Sequence, residues 1–254
     1  SWTALASLNQ ARNTASGAGT TSQGLAYGGE TPSVTANTES WDGTSWTEEN
    51  NLSTARAKLS TGMGRGTAAL AVAGITPPNT AVTEEWNFTS TLQAGAWATG
   101  GNINTARISA GASGTLAAGL LIGGEPPVTG KTEEYDGSSW TESGDLNTAR
   151  REAGCFGTQT ASMAAGGSTE VVNVEEFNGS TWSEEPDLNT EAYGRSAAQV
   201  GTTTAGLVMG GRPYTANAEK WNGTAWTEVG DLNTPRGWAG GAGTSTDAIC
   251  YAGY

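Results

Sequence analysis

Histidine is absent from all 254 residues. Without it, Ser-His-Asp and Cys-His nucleophilic machinery is excluded, and so is the commonest general base. Cysteine is scarce: Cys155 and Cys250 are the only two. They are too few for a structural zinc site or a secreted disulfide framework, so both are expected to be free thiols. Only three lysines occur, Lys58, Lys131 and Lys220, and the net charge is −13. Binding to nucleic acid or to an anionic membrane needs clustered cations, so neither partner is expected. No run of 18 apolar residues is present, which excludes a transmembrane helix. The opening Ser1-Trp2-Thr3 has neither the basic region nor the apolar core of a signal peptide. It also lacks an initiator Met, and the expectation is an excised domain, with virion-associated and cytoplasmic settings both open.

What is present is repetitive. Trp2, Trp46, Trp97, Trp140, Trp182 and Trp226 recur in one setting, with gaps of 44, 51, 43, 42 and 44 residues. A fixed period in this range marks a repeat architecture. The 38 glycines suggest low complexity, but the ten tryptophans argue for a packed fold.

Each repeat breaks into four strand-length pieces. Strand a follows a Thr-Ala-Arg signal, at Arg56, Arg107 and Arg150, as Gln-Ala-Arg at Arg12 and as Thr-Pro-Arg at Arg236. Strand b is small and apolar and ends in Gly-Gly or Ala-Gly, as at Gly28-Gly29, Gly123-Gly124 and Ala252-Gly253. Strand c carries a Glu with an aromatic residue two places on: Glu39 and Trp41, Glu84 and Trp86, Glu133 and Tyr135, Glu175 and Phe177, Glu219 and Trp221. That spacing puts both on one face of a strand. Asp-Gly or Asn-Gly then signals a type I′ hairpin, and strand d opens on the landmark Trp. In the second repeat Asn87 is followed by Phe88, and an insertion from Phe88 to Ala96 accounts for the longest gap.

Four short antiparallel strands per repeat predict an all-β propeller. The double Gly after b, the aromatic ending c, the Trp opening d and the Arg before a resemble the Kelch repeat over the whole chain. The Leu-Asn-Thr-Ala-Arg and Trp-Asn-Gly units are also similar to Kelch-like repeat proteins of marine bacteriophages. The strand census is six a, six b, five c and six d. It predicts one domain, residues 1–254, of six blades, the last closed by an N-terminal strand d and lacking strand c; five blades is the alternative. An open edge invites pairing, so self-association through the incomplete blade is a further expectation.

The recurring Arg and Glu residues are expected to pair inside the blades, because a repeat must satisfy the same buried groups each time. The fifth copy lacks the Arg, and Arg195 is the expected substitute. The second carboxylates, Glu85, Glu134 and Glu176, are expected to face solvent. Near-equivalent Glu pairs lack the unlike environments that acid/base catalysis needs, and no calcium-type loop is present. Galactose-oxidase-like enzymes share the architecture, and that resemblance implies a copper site built with His and Tyr, which a chain without His cannot form. No enzyme activity, metal or cofactor is expected. The landmark Trp rings are expected to pack between blades rather than to stack on sugars. The b–c loops vary most, and on a rigid scaffold such loops carry function. Pro77, Pro78, Pro126, Pro127, Lys131, Arg212 and Tyr214 are therefore the candidate partner-binding residues. The expected partner is a protein, with a glycan as the alternative.

Overall fold

In a computed structural model of the chain, the residues described are all except 1, 90–93, 169–171, 192, 194, 195, 198–200 and 254; the side chains of residues 89, 94, 196 and 197 are also outside the description. The described residues form strands and no helix.

The first sheet holds β1 (Ser16–Gly19), β2 (Gly24–Tyr27), β3 (Thr38–Trp41) and β4 (Trp46–Glu48). The second holds β5 (Met63–Arg65), β6 (Ala68–Val72), β7 (Thr83–Thr89) and β8 (Ala94–Thr99). The third holds β9 (Gly111–Thr115), β10 (Ala118–Ile122), β11 (Thr132–Tyr135) and β12 (Trp140–Glu142). The fourth holds β13 (Gly154–Thr158), β14 (Ala161–Ala165), β15 (Val174–Phe177) and β16 (Trp182–Glu185). The fifth holds β17 (Ser196–Ala197), β18 (Gly206–Met209), β19 (Ala218–Trp221) and β20 (Trp226–Val229). Each is an antiparallel meander in sequence order. A two-stranded sheet, β21 (Gly240–Gly243) with β22 (Ala248–Tyr251), follows. The first strands of successive sheets pack side by side, and β21 packs beside both β17 and β1, so the ring closes.

The fold is thus a β-propeller of five four-stranded blades, the alternative reading, rather than six. The remaining arc is the two-stranded segment. Residues 2–8 occupy its outer position but form no strand. The reason is physical: a strand needs a neighbour for its backbone groups, and among the described residues no strand c stands beside them. Counting Trp landmarks counted this segment as a blade.

Small residues permit the ring. The first strands are Gly- and Ala-rich, as in Ser16-Gly17-Ala18-Gly19 and Gly240-Gly241-Ala242-Gly243, and this lets them crowd the axis. A Cβ on Gly17 would lie 1.6 Å from the Tyr251 hydroxyl oxygen, at the joint where the ring closes. Apolar clusters fill the spaces between neighbours. One joins Met63, Leu70 and Val72 to Leu121, Tyr135 and Trp140, and another joins Trp41, Trp46 and Ala26 to Ile249 and Tyr251.

Blade ends follow local chemistry. The connection from β3 to β4 has four residues, not the two of a type I′ turn, and at Asp42-Gly43 only Gly43 has positive φ, at 97°. Asp42 Oδ1 accepts the Thr44 and Ser45 amides at 2.8 Å each, so the side chain makes the turn. The double Gly ending strand b is needed for close approach: Gly28 has φ 64°, and a Cβ there would meet the Arg56 carbonyl oxygen at 2.6 Å.

Candidate functional site

The repeated Arg and Glu form an internal clamp. Arg12 meets Glu39 and Arg56 meets Glu84, each at 2.8 Å; Arg107 meets Glu133 at 2.5 Å, and Arg150 pairs with Glu175. All eight residues are buried. Each Glu also accepts a backbone N–H from the residue after the Leu or Ile that recurs in each repeat: Asn9, Ser53, Asn104, Asn147 and, for Glu219, Asn189. The carboxylate thereby ties the entry of strand a to strand c. Arg195, the expected substitute in the fifth blade, lies outside the described residues. Arg236 has no Glu among the described residues and bonds the Ala252 carbonyl at 3.1 Å.

Two of the second carboxylates depart from expectation. Glu85 accepts the Tyr135 hydroxyl at 2.5 Å and Glu134 the Ser143 hydroxyl at 2.6 Å, both half-buried. They staple neighbouring elements rather than face water. Glu176 is half-buried too.

The landmark Trp rings are packing elements. Each of Trp46, Trp97, Trp140, Trp182 and Trp226 lies against the aromatic of its own strand c, with centroids 4.9–5.3 Å apart. Their indole N–H groups reach back one blade: Trp97 to Thr38, Trp140 to Thr83 and Trp182 to Thr132. Cys155 and Cys250 are not disulfide-bonded, and burial pushes the Cys155 thiol up to about 12.

The b–c loops leave every blade at the end where strand a begins. On this face the residue two places after each Arg takes positive φ: Thr14 at 52°, Lys58 at 50°, Ser109 at 56°, Glu152 at 57° and Trp238 at 52°. Their backbones form a chain around the axis, from Lys58 N to Thr14 O, Ser109 N to Lys58 O and Glu152 N to Ser109 O, at 3.3, 3.1 and 2.8 Å. This inner ring carries no marker in the sequence, since none of its members is Gly.

The loops meet that ring on one side. Arg212 lies 4.5 Å from the Tyr214 ring centroid and 4.4 Å from that of Trp238, and it donates to the Tyr214 hydroxyl at 2.5 Å. Bonding to Tyr193, with Tyr214 contributing, holds the Arg212 guanidinium above its ordinary value. On the same face Arg151 pairs with Glu125. Glu152, whose Oε2 is buried without a partner, has its carboxyl raised above the usual range by burial, with Trp238 opposing through a hydrogen bond. Tyr214 is 50 % exposed and Val128 40 %, two of the four exposed large apolar residues among those described.

The candidate loop residues thus divide. Arg212 and Tyr214 join a cluster with Trp238, which the sequence did not single out. Pro126 and Pro127 stand between the paired Glu125 and the open Val128. Pro77 and Pro78 belong to a separate loop, where the Thr76 amide bonds the Pro78 carbonyl at 3.2 Å. Lys131 is taken up by an exposed ion pair with Glu142 at 2.6 Å, of little energetic weight.

No known family profile matches the chain, and no curated protein does. Among solved structures it is similar to that of YjhT, with a TM-score of 0.78 at 10 % identity, covering 98 % of this chain and 92 % of that one. At that identity the likeness is one of fold, and what it establishes is that the chain is a β-propeller.

Proposed function

We propose that this propeller is a non-enzymatic scaffold that binds a protein partner through its b–c face, as a module of a phage virion or of host recognition would. The observation that carries the reading is the Arg212, Tyr214 and Trp238 cluster. Arg, Tyr and Trp are the residues most often responsible for binding energy at protein interfaces, and here they stand on loops over a rigid ring. The repeat's own carboxylates support it from the other side. They are committed to Arg and to backbone N–H groups, which leaves them unsuited to acid/base work.

The second reading is a propeller lectin. The landmark Trp rings are covered by strand-c aromatics, so a sugar would stack on Tyr214, the open ring of the cluster. A glycan array run beside a displayed-peptide library separates the two. The scaffold reading expects peptide ligands that Tyr214→Ala and Arg212→Ala each weaken about tenfold or more. Saturable sugar binding lost in the same variants, with no peptide ligand found, would replace it.

A further inference from the structure

The outer edge of the second blade lacks the guards that the other blades carry. The fourth strand is outermost in each blade. In four of them an exposed Glu stands two places after the landmark Trp: Glu48, Glu142, Glu184 and Glu228. A charge on an edge strand discourages pairing with another strand. In the second blade that position is Thr99, and β8 reads Ala-Gly-Ala-Trp-Ala-Thr, with no charged residue. It is also the longest of these outer strands, six residues against three or four.

A second guard is missing at the same place. The carbonyls of Trp46, Trp140, Trp182 and Trp226 each accept a side-chain amide, from Asn9, Asn104, Asn147 and Asn189 at 3.0, 3.1, 3.2 and 3.2 Å. These caps occupy a backbone acceptor on the outer edge. The equivalent residue of the second blade is Ser53, whose own amide meets Glu84 as that of Asn9 meets Glu39. Serine carries no side-chain amide, and among the described residues no side chain donates to the Trp97 carbonyl; the Asn50 side chain goes to the Gly95 carbonyl instead, at 2.7 Å. The Gly100 amide bonds the Thr83 carbonyl. Bonded and non-bonded pairs alternate along an antiparallel ladder, so the backbone groups of Gly95, Trp97 and Thr99 point away from β7. Ala96, Ala98 and Thr99 are exposed and Trp97 is half-buried.

We propose that β8 is the dimerisation edge of this chain, pairing antiparallel with β8 of a second copy about a two-fold axis through Trp97. The order of residues around that axis is self-complementary. It sets Ala96 opposite Ala98 and Gly95 opposite Thr99, so small side chains face small ones. The Trp97 ring is turned onto Tyr27 and Trp86 of its own chain, with centroids 5.0 and 5.3 Å away, which leaves its backbone open to the copy. The Trp97 amide and carbonyl then exchange hydrogen bonds with their two-fold mates. An isologous contact of this kind closes at two copies. Charge selects the occupant and the edge. Each copy carries a net −13; the other four edges bring a further Glu from each side, and β8 brings none. A foreign strand finds no charge on β8 to recognise, whereas the two-fold match lies in the strand itself. The proposal goes beyond the scaffold reading and does not rest on it. A dimer presents two b–c faces, and either surface can fail without the other.

The test is sedimentation of the full chain at concentrations up to about 1 mM, with hydrogen exchange as the map. One strand a side makes a small interface, so the dimer should be weak and reversible. Added salt should strengthen it by screening the charge of each copy. The Trp97 and Thr99 amides should exchange more slowly as concentration rises. Thr99→Glu copies the four guarded edges, and Ser53→Asn restores the missing cap; each should weaken the dimer about fivefold or more. Other blades hold Glu and Asn at these places, so both variants should fold, and if one does not, the other decides. A monomer throughout the range at high salt would overturn the proposal. So would a dimer indifferent to both variants, or slowed exchange at another edge. A chain that stays monomeric yet binds a synthetic peptide copying residues 94–99 at β8 would give the edge to a foreign strand and end the two-fold account.

Discussion

Arg56 and Glu84 sit 2.8 Å apart with their side chains 0 % and 1 % exposed, and each also bonds backbone groups of the strands it joins. A buried pair of this kind is weak evidence of net stabilisation, since its desolvation offsets much of its attraction. Breaking it is another matter. Arg56→Met leaves Glu84 charged and sealed, and should cost about 3–5 kcal/mol. Adding Glu84→Leu to that variant should recover part of the loss, a coupling that urea midpoints of the single and double variants would read.

The fourth blade lacks an acceptor that the first three have. Val174 stands where Thr38, Thr83 and Thr132 accept an indole N–H, and the Trp226 Nε1 that faces it is buried without a partner. Val174→Thr should therefore stabilise the chain by about 1 kcal/mol, against the usual cost of burying a hydroxyl. A lowered urea midpoint would show that the fourth blade receives Trp226 differently.

Acid sensitivity should trace in part to two turns. Asp42 and Asp136 are each held near about 2 by amides and hydroxyls, with Ser45 and Ser139 amides foremost. A depressed carboxyl contributes stability above its unfolded value, and that contribution fades as pH falls from about 4 towards 2. Asn178 and Asn222 make the equivalent turns without a titrating group. Asp42→Asn with Asp136→Asn should flatten the fall in thermal midpoint between pH 4 and 2 while leaving it little changed at pH 7.

Glu152 should behave in the opposite sense. Its carboxyl is raised by burial, so the ionised form burdens the folded state above that raised value, and the burden disappears as pH drops below the ordinary Glu value. Glu152→Gln should be more stable than the parent at pH 8, and the advantage should vanish near pH 4. An advantage that persists at pH 4 would place its origin in packing rather than in charge.

The strand pattern was legible because its markers are residues with a single local job. Asp-Gly and Asn-Gly mark turns, paired Gly marks the left-handed end of strand b, and Glu two before an aromatic marks a strand face. The Arg–Glu clamp followed from those markers. The turn type did not, because Asp42 acts through its side chain and leaves only Gly43 at positive φ. The blade count misled because Trp2 does occupy a landmark position, yet a Trp cannot make a strand without a neighbouring backbone. The inner chain through Thr14, Lys58, Ser109 and Glu152 was illegible, since tertiary hydrogen bonds rather than residue type join these positive-φ residues. Trp238 was missed in consequence. Its one signal was its position two after Arg236, aligned with Thr14 and Lys58.

The central claim is a propeller of five four-stranded blades whose ring is closed by a two-stranded segment, and amide hydrogen exchange tests it most directly. Exchange protection reports local hydrogen bonding strand by strand. The outward amide of Ala248, on a strand with one neighbour among the described residues, should exchange far faster than the outward amides of the equivalent second strands, Ala118–Ile122 and Gly206–Met209, which are bonded on both sides. Equal protection along all three strands would mean that the edge is already paired, and would contradict the account.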